Sequence, residues 1–155
     1  MMKLFVCAVV VVLMATLMME SVFAQDPLTW SICKRYPKQT LQITSVSLNP
    51  NPPQAGNNLQ VTIQGDLTEP MAAGSTGQVS VNYAGTPMYT GPFDPCQFLA
   101  GSSNQCPLSK GQQTLSITQQ ITPMAPSGGP YQGTIVITDQ NKNIVSCIDF
   151  NFMMM

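Results

Sequence analysis

Few side chains in this 155-residue chain have the types and spacing that chemistry requires. Asp66 and Glu69 form a close pair of carboxylates between two predicted strands, and such pairs can act in acid–base catalysis. A solvated turn is the favoured interpretation, because carboxylates with perturbed pKa values need burial and partners. The chain contains no histidine, so the usual base for a serine or cysteine nucleophile is missing. We therefore expect no enzyme and no chemical step.

Metal chemistry has little support in the sequence. The eleven methionines could supply thioether ligands for Cu(I), but their scattered spacing favours flexible packing instead. A zinc site would draw on histidine and closely spaced cysteine pairs, and the chain has neither histidine nor a Cys-x-x-Cys motif. We expect neither a bound metal nor another cofactor.

The first 24 residues have the composition of a secretory signal peptide rather than of a folded segment. Lys3 supplies the positive start, residues 4–19 form an almost unbroken apolar run, and small residues end the segment at Ala24. The run is shorter than the roughly 20 apolar residues that a membrane span needs. We predict that residues 1–24 are removed and that residues 25–155 form one domain.

The cysteine count agrees with secretion. Cys7 leaves with the signal peptide, which turns an odd total of five into an even four. The remaining cysteines are Cys33, Cys96, Cys106 and Cys147. Pairing is the default in an oxidising compartment, but four cysteines allow three connectivities and the sequence does not select one. Cys96 and Cys106 have prolines beside them and strand-like segments on both sides, which is typical of a loop closed by its own disulfide.

The charge balance excludes two classes of partner. Six basic and seven acidic residues give a net charge of −1, and removal of Lys3 and Glu20 leaves that value unchanged. Nucleic-acid binding rests on many lysines and arginines that neutralise phosphates, and anionic membranes likewise attract clustered bases. The basic cluster at residues 34–38 is best explained as a solvated turn. We expect no nucleic-acid partner and no strong electrostatic adhesion to membranes.

Alternation of apolar and polar residues predicts short β-strands along the rest of the chain. The predicted strands are 41–48, 59–64, 78–83, 114–118, 131–138 and 144–152, and a short edge strand is expected at 86–89. The alternation slips by one residue near Ser45, which predicts a β-bulge. Residues 25–39 show no clear periodicity and are expected to be irregular. This pattern favours an all-β fold, an antiparallel sandwich of six to seven strands.

One set of alternating residues should face the interior of the sandwich. Most of its members are aliphatic, and the set is Leu59, Val61, Ile63, Val79, Val81, Tyr83, Leu115, Ile117, Ile135, Ile137, Ile148 and Phe150. Periodicity by itself favours a filled core for these residues, because most alternating strands do no more than pack one.

Four segments occur in an order that is typical of a known family. They are Ser47–Gly56, Cys106–Gly111, Pro126–Tyr131 and Cys147–Phe152. Over residues 33–152 the chain resembles the ML (MD-2-related lipid-recognition) domain family. Within it, the likeness is to the fungal-type phosphatidylglycerol/phosphatidylinositol transfer proteins, with the Niemann–Pick type C2 sterol carriers as relatives. The chain lacks the third cysteine pair that the sterol carriers have near the first turn, which favours the phospholipid branch.

The resemblance implies a fold, a function and a location. The fold is an immunoglobulin-like sandwich whose inward-facing residues line an internal lipid cavity, with disulfides Cys33–Cys147 and Cys96–Cys106. The function is that of a secreted lipid-binding and transfer protein, which holds a phospholipid or sterol between two sheets and exchanges it with membranes. The expected partners are that lipid and, transiently, a membrane surface. We expect a monomer, either extracellular or in an endolysosomal or vacuolar lumen.

Apolar residues in predicted loops are the candidates for the mouth of the cavity. They are Met88, Tyr89, Phe98, Leu99 and Met124. Exposed apolar loop residues can enter a membrane interface, although single ones are common on protein surfaces. The alternative hypothesis is an immunoglobulin-like secreted interaction or effector module, with a filled core and a protein partner. The family likeness does not explain the methionine tail at residues 153–155.

Overall fold

The computed structural model describes residues 28–102 and 104–155, which form two β-sheets that face each other. The predicted signal peptide, residues 1–24, lies outside the described residues. The elements are β1 Leu28–Ile32, β2 Leu41–Asn49, β3 Asn58–Leu67, β4 Thr76–Tyr83, β5 Thr86–Phe93, α1 Pro95–Leu99, β6 Gly111–Gln120, β7 Pro130–Thr138 and β8 Ile144–Met153.

The strand order is β1-β8-β7-β4-β5 in the larger sheet and β2-β3-β6 in the smaller sheet. All neighbouring strands in both sheets are antiparallel. The structure confirms the all-β sandwich, but its described part has eight strands where six to seven are predicted. The additional strand is β1, which lies in the segment expected to be irregular. Its five residues pair with β8 at the far end of the chain, so its alternation is too short to stand out locally.

Two β-bulges set which side chains point inward. The register between β2 and β3 shifts between Ile43 and Ser45, which confirms the predicted bulge and keeps the apolar residues of β2 on one face. A second shift, between β7 and β8, leaves Val145 without a partner in β7. The side chain of Val145 is 3 % exposed, so this bulge adds a residue to the core.

The segment between β1 and β2 passes from the larger sheet to the smaller one and is fastened to β8 on the way. Cys33 and Cys147 form a disulfide and are 1 % and 0 % exposed. The side chain of Gln39 accepts a hydrogen bond from the Cys147 N–H (2.9 Å) and donates one to the Cys147 carbonyl (3.3 Å). The disulfide extends the β1–β8 pairing within the larger sheet, and the Gln39 side chain links the start of the smaller sheet to β8. We call these two contacts the edge joint.

The loop between β5 and β6 covers one end of the sandwich. The Cys96–Cys106 disulfide closes this loop, so both pairings implied by the family resemblance are present. α1 begins where the Asp94 carboxylate accepts hydrogen bonds from the N–H groups of Cys96 (2.9 Å) and Gln97 (3.3 Å). Among the described residues, no helix is long and apolar enough to cross a membrane.

A short backbone pairing holds this disulfide loop against the connection between β3 and β4. Met71 and Leu108 each donate a hydrogen bond to the carbonyl of the other, at 3.1 Å and 2.8 Å. Both side chains are buried and belong to the main hydrophobic cluster, with Leu41, Leu67, Leu99 and Val145. The buried cluster therefore lies at the end of the sandwich that the loop covers.

The opposite end is closed by the C-terminal methionine tail. Met154 is 4 % exposed, and its carbonyl accepts a hydrogen bond from the Gly128 N–H (2.9 Å). The Met155 N–H donates to the carbonyl of Pro53 (3.0 Å). The tail thus bridges the β2–β3 and β6–β7 loops, which gives it a structural role that the family likeness does not supply.

One buried carboxylate organises the turn between β7 and β8. Asp139 is 2 % exposed and accepts hydrogen bonds from the N–H groups of Asn141 (2.7 Å) and Asn143 (2.9 Å) and from the side-chain amide of Asn143 (3.0 Å). Burial by itself would raise the pKa of Asp139, but these hydrogen bonds outweigh it and lower the pKa below its ordinary value. Folding therefore favours the ionised form of this side chain.

Replacement of Asp139 by alanine should lower the free energy of unfolding at neutral pH by about 1–3 kcal/mol, because two backbone N–H groups lose their acceptor. Because the pKa of Asp139 is lower in the folded than in the unfolded chain, its contribution is complete above about pH 4 and is lost as the pH falls further. Urea unfolding at neutral and at acidic pH measures both effects. Asp66→Ala, on the exposed outer face of β3, is the control, and equal losses from the two variants would contradict the role of Asp139.

Candidate functional site

The strand register shows which side chains face the space between the sheets. In the larger sheet Val79, Ile135 and Ile148 are paired across three strands and therefore share one face. In the smaller sheet Ile63 pairs with Leu115 in the same way. By this alternation, each of the twelve predicted inward-facing residues belongs to the apolar face of its sheet.

These inward-facing side chains are not completely buried. Eleven of the twelve keep intermediate exposure, and Ile148, at 4 %, is the buried exception. Protein interiors are close-packed, so a filled sandwich would bury central aliphatic side chains almost entirely. The two apolar faces therefore oppose each other without interdigitating completely.

An apolar cavity of about 50 Å³ lies between the sheets at the end that the disulfide loop covers. Both sheets, α1 and the loops contribute to its wall, which consists of Leu41, Ile63, Leu67, Met71, Phe93, Pro95, Phe98, Leu99, Leu108, Gln113, Leu115, Ile117, Ile137 and Val145. Gln113 is the polar member, and its amide donates a hydrogen bond to the Ser109 carbonyl (2.8 Å). The cavity is therefore suited to hydrocarbon and not to a charged group.

Four of the twelve predicted inward-facing residues border the cavity. The predicted residues that border it are Ile63, Leu115, Ile117 and Ile137. The others are Leu59, Val61, Val79, Val81, Tyr83, Ile135, Ile148 and Phe150, which lie elsewhere on the two apolar faces. Contact of those eight with a ligand stays a prediction.

The sequence did not predict several residues of the cavity wall. Leu67 lies beyond the predicted end of its strand, and Val145 faces inward because of the bulge in β8. Met71 and Leu108 are loop residues that reach the wall through their mutual pairing. Loop pairings and bulges carry no periodic signal, although the apolar character of all four residues could have nominated them.

The short helix α1 places one aromatic ring at the outer wall of the cavity. Phe98 lines the cavity and is also 44 % exposed to solvent. Its ring contacts the ring of Phe93 edge to face, with 5.3 Å between centroids. Leu99 is predicted at the exposed mouth, and this is wrong, because it is 3 % exposed and part of the core. Consecutive side chains on a helix point about 100° apart, so one can face solvent while the next is buried.

The remaining predicted mouth residues are exposed but are not gathered around this cavity. Met88 and Tyr89 are 49 % and 55 % exposed on the edge strand β5. Met124 is 91 % exposed in the loop between β6 and β7, at the opposite end of the sandwich. Phe98 is the predicted mouth residue that is both exposed and in contact with the cavity.

Aromatic rings occupy the space between the sheets at the other end. The rings of Tyr83, Tyr131, Phe152 and Phe150 follow one another with centroid distances of 5.1, 5.3 and 5.9 Å. The hydroxyl of Tyr131 donates to the Pro126 carbonyl (2.7 Å). Burial and, second, the neighbouring Tyr83 raise the pKa of Tyr131, so the hydroxyl stays a neutral donor. These rings confine the cavity to the end that the disulfide loop covers.

The charged residues near the cavity do not form a reactive cluster. The Lys110 Nζ and Glu69 Oε1 atoms are 3.2 Å apart, with more than half of each side chain exposed, so this ion pair contributes at most about 1 kcal/mol. Asp66 is exposed on the outer face of β3, and Glu69 is engaged elsewhere, so the two do not act as a pair. Within residues 28–102 and 104–155 no cluster of cysteine and carboxylate side chains could hold a metal ion.

Comparison with known sequences gives one consistent result. The ML domain profile matches residues 27–154. An Emericella nidulans protein named phosphatidylglycerol/phosphatidylinositol transfer protein is 32 % identical over 117 residues, which span 76 % of this chain and 69 % of that protein. A Dictyostelium discoideum protein, provisionally named phosphatidylglycerol/phosphatidylinositol transfer protein 2, is 32 % identical over 120 residues, which span 77 % of this chain and 81 % of that protein.

Two solved structures share the fold. The crystal structure of a Niemann–Pick type C2 protein from Japanese carpenter ant matches with a TM-score of 0.59 at 9 % identity, over 82 % of this chain and 99 % of that one. The crystal structure of chicken MD-1 complexed with lipid IVa matches with a TM-score of 0.57 at 16 % identity, over 85 % of this chain and 94 % of that one. Likeness at such low identity establishes the sandwich fold alone.

Replacement of Leu99 by serine should lower the free energy of unfolding by about 2–5 kcal/mol, because it removes a buried aliphatic side chain and leaves a hydroxyl beside an apolar cavity. Urea unfolding of the oxidised protein measures this loss. Met124→Ser, at a position that is 91 % exposed, is the control and should change the free energy by less than about 0.5 kcal/mol. A Leu99 variant as stable as the Met124 variant would mean that α1 does not contribute to the core.

Proposed function

The chain belongs to the ML domain family, and from that premise we propose that it is a lipid carrier. It holds one phospholipid, or a sterol, between its two sheets and exchanges this ligand with membranes without a chemical step. Phosphatidylglycerol and phosphatidylinositol are the first candidates, because relatives at 32 % identity are named as their transfer proteins. The incomplete closure of the two apolar faces is the observation that carries the proposal.

The size of the cavity determines how a lipid would enter. A volume of about 50 Å³ holds only a few water-sized groups, so a long acyl chain fits only when the facing side chains separate. Each CH₂ group taken from water contributes about 0.8 kcal/mol, which gives roughly 12 kcal/mol for a chain of about 16 carbons. This gain can offset the contacts that the opening disrupts. The faces are already loosely packed, so few such contacts need to be broken.

Exchange with a membrane follows from the same energetics. A bilayer offers an acyl chain nearly the same apolar surroundings as the cavity, so transfer between the two is close to balanced. Selectivity then depends on contacts with the head group at the mouth. We place the mouth beside Phe98, because that ring separates the cavity from solvent. Residues 70–93 contain no charged side chain, so Met88 and Tyr89 on β5 would contact the interface through apolar groups.

The proposed location follows from the two disulfides. Both require an oxidising compartment, which agrees with removal of residues 1–24 in the secretory pathway. The mature domain would then comprise residues 25–155 and act as a monomer, outside the cell or in an endolysosomal or vacuolar lumen. Its low charge keeps membrane contact transient, because the three bases at residues 34–38 are too few for strong adhesion to anionic lipid.

Protein purified from a eukaryotic secretory host should carry one lipid molecule per chain, and lipid-free protein should take up fluorescent phosphatidylglycerol or phosphatidylinositol from vesicles. Native mass spectrometry measures the stoichiometry, and fluorescence dequenching measures uptake. Ile117→Asp should abolish uptake, because an unpaired charge in the cavity wall is costly. Thr118→Asp, on the exposed face of the same strand, is the control for folding. Lipid-free samples that take up neither a phospholipid nor cholesterol would favour the interaction-module hypothesis.

Replacement of Phe98 by alanine should accelerate lipid exchange several-fold, because it removes the ring that separates the cavity from solvent. The loss of its contact with Phe93 should cost no more than about 1.5 kcal/mol of stability beyond the lost burial. Stopped-flow transfer between donor and acceptor vesicles measures the rate. Met124→Ala is the matched control at the opposite end of the sandwich and should leave the rate unchanged. An unchanged rate in the Phe98 variant would place the mouth elsewhere.

A further inference from the structure

A glycine and an aromatic residue face each other across two strands on the inner face of the larger sheet. Gly77 of β4 pairs with Phe93 of β5, and on its other side it pairs with Ile137 of β7. Phe93 and Ile137 both line the apolar cavity. Gly77 is buried although it has no side chain. The pair therefore belongs to the wall of the cavity, at the end of the sandwich that the disulfide loop covers.

The Phe93 ring occupies the place that a side chain on residue 77 would take. A Cβ atom added to Gly77 would overlap Cε1 and Cζ of that ring and would lie 2.6 Å from Cε2. Non-bonded carbon atoms prefer a separation of about 3.5–4.0 Å, so the two groups cannot share this space. Glycine inside a strand permits such a close approach. The ring lies over β4 because residue 77 is a glycine.

The backbone does not by itself require a glycine at this position. Gly77 has no positive φ, and it lies in a regular part of both ladders that include β4. Gly133, on the same face of the sheet, is a different case, because a Cβ atom there would also collide with the Ser80 carbonyl. At Gly77 the three atoms nearest to the added carbon all belong to the Phe93 ring. The ring alone therefore explains this glycine.

The position of the Phe93 ring determines the width of the space beside the mouth. Its edge-to-face contact with Phe98, with 5.3 Å between centroids, joins it to the ring that separates the cavity from solvent. Leu115 and Ile117 of β6 belong to the wall on the smaller sheet. Because the Phe93 ring lies between β4 and this space, displacement of the ring away from Gly77 moves it toward the smaller sheet. The gap is then narrower.

We propose that Gly77 is a specificity-determining residue, which acts by positioning the Phe93 ring. This inference rests on the proposed lipid carriage and names the property that the site selects, the thickness of the acyl chain beside the mouth. Glycine leaves the gap between Phe93 and the smaller sheet at its widest, and any larger residue at position 77 narrows it. A narrower gap excludes a methyl-branched chain before it excludes a straight chain of the same length.

Competition between two phosphatidylglycerols tests the proposal. Dipalmitoyl- and diphytanoyl-phosphatidylglycerol share the head group and the main-chain length, and only the phytanoyl chains carry methyl branches. Lipid-free, oxidised protein would be incubated with phosphatidylcholine vesicles that contain equal amounts of both, and native mass spectrometry would measure the ratio of the two lipids bound. Gly77→Ala should shift this ratio toward the straight-chain lipid by about tenfold, because a methyl group added to a packed site forces its neighbour to move.

Substitution of Phe93 supplies the rescue. Leucine lacks the ring atoms that meet residue 77, so the double variant Gly77→Ala/Phe93→Leu should return the ratio to within about threefold of the wild-type value. Phe93→Leu by itself widens the gap and should shift the ratio toward the branched lipid. If Gly77→Ala does not fold, an unchanged ratio in Phe93→Leu would overturn the proposal. Gly101→Ala adds the same methyl group where no atom lies within 4 Å, and it should leave the ratio unchanged.

The outcomes separate the role of Gly77 from lipid carriage itself. If the wild type binds lipid and Gly77→Ala leaves the ratio unchanged, the role of Gly77 is rejected and the carrier is retained. Equal loss of both lipids in Gly77→Ala would mean that the glycine serves only the stability of the β4–β5 pair, and it would also reject the proposal. A wild-type protein that binds neither lipid would reject carriage and, with it, the role of Gly77.

Discussion

The two sheets are held together at their margins, and the rest of the structure depends on this arrangement. The edge joint, formed by Gln39 and the Cys33–Cys147 disulfide, fastens one edge, and the Met71–Leu108 pairing holds the disulfide loop over one end. In the chain-entropy model, a disulfide that closes a loop with a sequence separation of 114 contributes close to 5 kcal/mol. Stability therefore does not require the apolar faces to interdigitate everywhere, which permits a hollow between them.

The types of side chain at the two ends of the sandwich determine where the hollow lies. Four aromatic rings pack against one another between the sheets at the end closed by the methionine tail, and large rigid rings leave little space there. Mostly aliphatic side chains line the other end, with Phe93 and Phe98 in its wall, and aliphatic side chains are smaller and adopt several rotamers. A ligand can displace side chains of that kind more readily than stacked rings. The same distribution explains why α1 and Phe98, rather than the methionine tail, border the cavity.

The outer faces of both sheets are polar but almost uncharged. Only 8 % of the residues in the chain are charged, and Asp66 and Asp149 are the charged residues among the outward-facing positions of the paired strands. Glutamine, asparagine, serine and threonine therefore supply the contact with water. Such a surface has no long-range attraction for anionic partners and interacts by short-range hydrogen bonds. It is consistent with transient contact at a lipid interface.

The sequence by itself determined the strands, the bulge at Ser45 and the two apolar faces, because alternation with a period of two is a local property. The family resemblance added both disulfide pairings. Neither the alternation pattern nor the family resemblance predicted β1, the burial of Leu99 or the loop residues of the cavity wall. Those features arise when segments distant in the chain meet, as β1 meets β8 and Met71 meets Leu108. Only the tertiary structure decided where the hollow lies, because its position depends on the side chains that neighbouring strands bring together.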